Sequence, residues 1–216
     1  MKLILILLGL AAVVGIVGLL VFVFVIQNVE KPDYQVVSQD GDFELRDYPP
    51  LVVAEVSGSG DRQQSLSSGF GPLARYIFAK ERGGERIAMT APVQQRAVAP
   101  DEKIAMTAPV TQTSAQDGRW RVQFIMPAEY RLEDLPAPGN TEVTLERIPA
   151  RRVAAVRFSG RANDQAIAEQ QARLKDWMST RGLEPRGEPI YAYYNDPFTP
   201  GPLRRNEVMF EVSPQP

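Results

Sequence analysis

The 216-residue chain has no cysteine and no histidine. Without cysteine there is no disulfide, no thiolate metal site, no lipid-modified cysteine and no cysteine nucleophile. Cysteine usage therefore leaves the redox compartment unread. Without histidine the commonest metal ligand and the commonest general base are both missing, which removes histidine-dependent triads and the usual zinc sets. The formal net charge is −2 and no long basic run occurs, so a nucleic acid finds no electrostatic footprint. Paired carboxylates at telling spacing, a nucleophile elbow and a phosphate-cradling glycine loop are missing too.

Leu3 to Ile26, by contrast, is an unbroken apolar run of 24 residues. At about 1.5 Å per residue a helix of that length exceeds a hydrocarbon core of roughly 30 Å. No small-residue cleavage site follows it, so the expectation is an uncleaved single-pass anchor over 1–28. Lys2 precedes the run and Glu30 and Asp33 follow it. The positive-inside tendency then puts the N-terminus in the cytoplasm and the rest outside. A linker at 29–33 and one domain over 34–213 complete the expected organisation.

Ile87-Ala88-Met89-Thr90-Ala91-Pro92-Val93 recurs as Ile104-Ala105-Met106-Thr107-Ala108-Pro109-Val110. Each copy alternates with period two, as a half-buried strand does, and Ala99-Pro100-Asp101 supplies a turn between them. A hairpin centred there puts Met89 near Gln112 rather than beside Met106. The methionines either fill core gaps or line a cleft.

A longer repeat underlies the domain. Phe43 to Gly60 aligns without gaps on Val143 to Gly160, with Leu45/Leu145, Pro49/Pro149, Val53/Val153 and Gly60/Gly160 among the identities. A helix follows each copy. Asp61 is a candidate N-cap for a helix to about Lys80, with Leu66, Phe70, Leu73 and Ile77 on one face and Pro72 expected to kink or break it. Asn163 or Asp164 starts the second, which ends at Gly182. The fold class is α+β: duplicated strand-helix-strand-strand units about a pseudo-two-fold axis. They form a distorted antiparallel barrel or sheet flanked by two helices. Before the last strand a stiff loop from Asn195 to Asn206 carries Phe198, Leu203, Arg204 and Arg205. Two readings stay open for it. Either the apolar pair tucks under the loop while the arginines pair with Glu207 or another carboxylate, or the four residues form a lip over a cleft.

The repeated heptad, the Asp47-Tyr48-Pro49-Pro50 bend and Leu203-Arg204-Arg205-Asn206-Glu207-Val208 resemble the SOUL/heme-binding protein family over about Tyr34 to Val212. The half-unit is also similar to gyrase-inhibitor-like effector domains, which bind small molecules. The resemblance implies a non-catalytic protein that buffers or transports heme or another tetrapyrrole, held here at a cell membrane. It implies a groove between the first helix and the loop before the last strand. On this chain those regions hold Leu66, Phe70, Leu73, Arg75, Tyr76, Phe198, Leu203, Arg204 and Arg205. Some members of the family use an axial histidine and this chain has none. A bound iron would then take Tyr, Met, water or nothing, with Tyr76 and the methionines candidates by residue type. The other arrangement is a surface site, the ring held by apolar contact and arginine-propionate pairs. The alternatives are a binding module for another amphipathic ligand, or a small-molecule hydrolase on the same fold.

Overall fold

The computed structural model describes residues 29–98, 118–196 and 198–213, with helical positions 9, 10, 13, 15 and 18. The second heptad copy and most of the apolar run lie outside the described residues. Among the described residues no helix is long and apolar enough to cross a membrane.

Nine strands form one antiparallel sheet: β1 Gln35–Asp40, β2 Phe43–Tyr48, β3 Leu51–Ser59, β4 Val93–Ala97, β5 Arg119–Ile125, β6 Thr144–Ile148, β7 Arg151–Phe158, β8 Pro185–Tyr193 and β9 Asn206–Val212. Their order is β1-β2-β7-β9-β8-β4-β5-β3-β6. With β1 set aside, that order maps onto itself when the halves are exchanged, so the expected pseudo-two-fold passes between β8 and β4. The halves trade strands. β2 pairs with β7 and β6 with β3, and Leu45 faces Ala154 as Leu145 faces Ala54. Pro49-Pro50 joins β2 directly to β3, and Pro149-Ala150 joins β6 to β7, although each pair sits at opposite ends of the strand order. The sheet must therefore curl until its ends approach. It is not hydrogen-bonded into a closed barrel, which corrects the barrel half of the expectation.

Both helices, α1 Arg62–Ile77 and α2 Asp164–Ser179, pack on the outer face of the curl. Each starts on a side-chain cap. Asp61 accepts from the Gln64 amide at 2.7 Å and Asn163 from the Ala166 amide at 2.8 Å, each cap contributing about 1 kcal/mol. Pro72 does not break α1. It is buried with Leu73 against the sheet, and that packing outweighs the lost helical hydrogen bond. Gly69 lets the helix come close, because a Cβ there would lie 2.9 Å from the Val122 side chain. One apolar cluster joins α1 to β3 and β5, a second joins α2 to β7, β8 and β9, and a third fills the inner face of the curl around Val53, Val153, Ala155, Ala192 and Met209.

The first heptad copy is not the strand that its period suggests. Residues 85–92 belong to neither helix nor strand, and β4 begins only at Val93. The Ile87 amide bonds to the Ile77 carbonyl and the Ala91 amide to the Glu30 carbonyl, both at 2.8 Å. The segment thus hangs between a helix end and the linker, and its burial does not alternate: Met89 is half-buried while Thr90, Ala91 and Pro92 are all buried.

Candidate functional site

The helix residues named from the sequence divide by burial. Leu73 is fully buried and Leu66 packs at the margin of the same cluster. Phe70 is 39% exposed and meets Phe124 edge-on, with ring centroids 5.1 Å apart. Arg75 pairs with Glu81 at 2.5 Å. The buried Tyr76 donates its hydroxyl to the Pro136 carbonyl at 2.9 Å, and burial pushes its pKa up. Tyr76 thus turns its ring into the core, with its hydroxyl engaged by the backbone.

The loop behaves differently because its polar groups satisfy one another. The Asp196 carboxylate accepts from the Phe198 amide at 2.7 Å and the Thr199 hydroxyl at 2.6 Å. Burial alone would raise its pKa, but those bonds hold it below its ordinary value. Arg204 Nε donates to the Thr199 carbonyl at 2.7 Å, and the Arg205 amide donates to Asn195 Oδ1 at 2.6 Å. A 3-10 turn, Gly201–Leu203, closes the loop. This internal bonding leaves Phe198 84% and Leu203 54% exposed, so the apolar pair does not tuck underneath. Arg205 does pair with Glu207, at 2.7 and 3.1 Å, and lies 4.1 Å over the Tyr194 ring. Beside the loop is a hollow of about 230 Å³, lined by Lys31, Tyr194, Leu203 and Arg205 among others. Leu203 and Arg205 thus come together there, and α1 contributes no lining residue.

Under the hollow is a buried ion cluster. Arg46 grips Glu207 through two N–H groups at 2.8 and 3.0 Å and donates to Glu44 at 2.7 Å, while the Tyr194 hydroxyl donates to Glu207 at 2.8 Å. Burial alone would raise the Glu207 pKa. The hydrogen bonds and charge of Arg46, then the charge and hydrogen bond of Arg205, outweigh it and hold the group below its ordinary value. The other end of the inner face is hollow, about 290 Å³, with Arg96, Arg121, Gln123, Glu146 and Arg151 in its wall. Glu55 lies behind it, bonded to Gln123 at 2.7 Å and Arg121 at 3.1 Å. Desolvation raises the Glu55 pKa in spite of those partners. Sequence reading offered the Arg205–Glu207 pair as one alternative but missed Arg46 as its partner and missed the Glu55 cluster. The available signal for Glu55 was a charged residue between Ala54 and Val56 in an otherwise apolar stretch of β3, whereas Arg46 lies in a strand that also carries Glu44 and Asp47 and had no such mark.

Residues 29–102 and 99–211 match the sequence profile of the SOUL heme-binding protein family. The chain belongs to that family. No curated protein matches it in sequence. Among solved structures, this SOUL-family chain superposes on the EcmrR C-terminal domain with a TM-score of 0.56 at 14% identity, covering 84% of this chain and 99% of that one. A hydrolase from Listeria innocua gives 0.52 at 16% identity, covering 82% and 94%. An uncharacterised conserved protein from Listeria innocua gives 0.50 at 15% identity, covering 85% and 92%. At those identities the likeness is one of fold. SOUL membership points to heme or another tetrapyrrole as ligand, and the matched residues include the exposed Leu203 and the half-buried Arg204 and Arg205.

Proposed function

We propose that this SOUL-family protein is a non-catalytic, membrane-anchored tetrapyrrole binder that buffers or carries heme on the outer side of a cell membrane. The ligand lies against the hollow beside the 195–205 loop. The observation that carries this reading is the hollow that brings the exposed Leu203 together with the cations Lys31 and Arg205, with the exposed Phe198 on the same loop. A porphyrin presents the matching chemistry, a flat apolar face with carboxylates at one edge. The hollow is small, so the macrocycle rests across it rather than inside it. Tyr194 at its floor donates to Glu207 and has a pKa raised well above the usual phenol, and the chain has no histidine. Apolar contact and carboxylate pairing therefore hold the ring, without an axial ligand from these groups. Bound heme would supply its iron chemistry, while the chain's own residues only grip and orient it.

The test is an absorbance titration of the full chain in lipid nanodiscs with ferric heme, run beside metal-free protoporphyrin. Saturable binding of both, weakened by Phe198→Ser together with Lys31→Ala, is the expected result. Binding of heme alone overturns the ligand-free grip, and binding of neither overturns the tetrapyrrole reading. A reporter fused to the C-terminus tests the topology. A second reading, an effector-type site for a different amphipathic molecule, draws on the inner-face hollow with Glu55 behind it, and predicts a ligand whose binding responds to Glu146 rather than to Phe198.

A further inference from the structure

Every exposed side chain at the tip of the 195–205 loop is apolar. Phe198, Pro200, Pro202 and Leu203 are exposed, whereas Thr199 is buried and Gly201 half-buried. Phe198 is 84% exposed and Leu203 54%. Grouped apolar exposure of this kind marks a surface that meets something apolar.

The tip has also used its backbone polarity internally. The Phe198 amide donates to the Asp196 carboxylate at 2.7 Å and the Thr199 amide to the Asp196 carbonyl at 3.2 Å. The Leu203 and Arg204 amides donate to the Pro200 and Gly201 carbonyls at 2.9 and 3.0 Å. The Thr199 carbonyl accepts from Arg204 Nε at 2.7 Å, and the Gly201 carbonyl takes a second N–H, from Gly160, at 3.0 Å. Pro200 and Pro202 have no amide to satisfy. In water such groups find partners in the solvent. In an apolar phase they must bring their own.

The linker says where that phase is. Val29 and Lys31 line the same hollow as Leu203 and Arg205. Glu30 is tied to the domain twice. Its carbonyl accepts the Ala91 amide and its carboxylate the Ala128 amide, both at 2.8 Å. Arg205 also donates to the Tyr34 hydroxyl at 3.5 Å. The segment between the apolar run and β1 is therefore fastened beside the hollow and is no free tether. Glu30 follows Ile26, the end of that run, by four residues, a reach of at most about 14 Å.

We propose that the 198–203 tip docks on the bilayer surface, with Phe198 and Leu203 in the interface and the hollow opening toward the lipid. This docking rests on the apolar run serving as the anchor. A bilayer offers the two chemistries in the required order, hydrocarbon for the tip and phosphates for Lys31 and Arg205 behind it. An amphipathic ligand dissolved in the membrane then reaches the hollow without crossing water.

The chain has no cysteine, so a nitroxide can be placed at one position at a time. Phe198→Cys and Leu203→Cys are labelled in the full chain, reconstituted in heme-free lipid nanodiscs. Collision is measured with oxygen, which concentrates in hydrocarbon, and with a nickel chelate, which stays in water. More collision with oxygen than with the chelate is expected at both positions. The reverse order, in a chain that elutes with the discs, overturns docking and leaves the anchor standing. Shielding from both reagents shows protein over the tip, such as a second copy, and also overturns it. A chain that does not elute with the discs overturns anchor and docking together. Adding heme separates the ligand from the lipid. A tip that is water-exposed until heme is added overturns docking and supports the tetrapyrrole contact alone. A tip already in lipid, with a flat heme titration, supports docking and removes the tetrapyrrole.

Discussion

Glu207→Gln separates charge from shape at the most buried ion cluster. The Glu207 side chain is completely buried and receives N–H groups from Arg46 and Arg205 and the Tyr194 hydroxyl. Glutamine keeps the volume but removes the charge, so Arg46, almost as deeply buried, loses the carboxylate that it grips through two N–H groups. Removing one partner of a buried pair costs about 3–5 kcal/mol. Glu44 remains on Arg46 Nε at 2.7 Å, which places the expected loss at the lower end, about 3 kcal/mol. Urea unfolding at neutral pH should show a lower midpoint with an unchanged slope. The pH dependence gives a second, independent reading. Because the native pKa of Glu207 is depressed, its contribution is present above the unfolded pKa and is lost as pH falls through the native one. The gap between wild type and Glu207→Gln should therefore narrow on acidification through the range where an ordinary glutamate titrates. A loss of about 1 kcal/mol or less at neutral pH, the worth of an exposed pair, would refute the argument. So would a gap that does not change with pH.

Gly69→Ala should destabilise the protein, because the added Cβ meets the stiff β-branched Val122 at 2.9 Å. Overpacking of about 1–3 kcal/mol exceeds the helix propensity gained, about 1 kcal/mol. A raised thermal midpoint would contradict the close approach of α1. Carboxyl NMR titration should find Glu55 above its ordinary value through desolvation, and Asp47 below its own through the hydrogen bond from Arg152. The reverse order would show that the inner-face wall is wetter than its burial indicates. A chain cut at Pro136-Ala137-Pro138-Gly139 should yield halves that fold only together, since β2 and β6 each pair with the other half. A folded monomer of either half, seen by light scattering and circular dichroism, would defeat that expectation.

Much of this fold could be read from residue order. The gapless offset between Phe43–Gly60 and Val143–Gly160 gave the two-fold, and Asp61 and Asn163 marked both helix starts. The errors came where tertiary packing replaced a local rule. Pro72 stays within α1 because its ring is buried with Leu73. Ile87 to Pro92 alternates like a strand in sequence but pairs with none, its amides at 87 and 91 going to Ile77 and Glu30. Its cover does not alternate either, Thr90, Ala91 and Pro92 all being buried, because the packing around the segment and not its period sets what is covered. The candidate site was half legible for the same reason. Leu203 and Arg205 were marked by being apolar and cationic on one stiff loop. Whether Leu73 and Tyr76 faced a ligand or the sheet depended on which side of α1 the curl placed, and no spacing encodes that.

The duplication also explains why the two ends of the inner face are unlike. Exchanging the halves carries Arg46 onto Glu146 and Tyr48 onto Ile148, and aligning Val122 and Phe124 with Val208 and Phe210 carries Glu207 onto Arg121. At one end these positions hold an arginine, a carboxylate and a phenol that fit together, Arg46 donating to Tyr48 at 3.2 Å and to Glu207 at 2.8 Å. At the other, the signs are inverted and the phenol is an isoleucine. Arg121 then turns to Glu55, whose repeat partner is Ala155, and the volume that Tyr48 fills is left as part of the larger hollow. A bonded, buried ion cluster anchors the first end beneath the Arg205 lip. The second keeps its charges in the wall of an open space. Two copies of one half-unit have thus come to differ, one end holding a bonded ion cluster and the other an open hollow with charges in its wall.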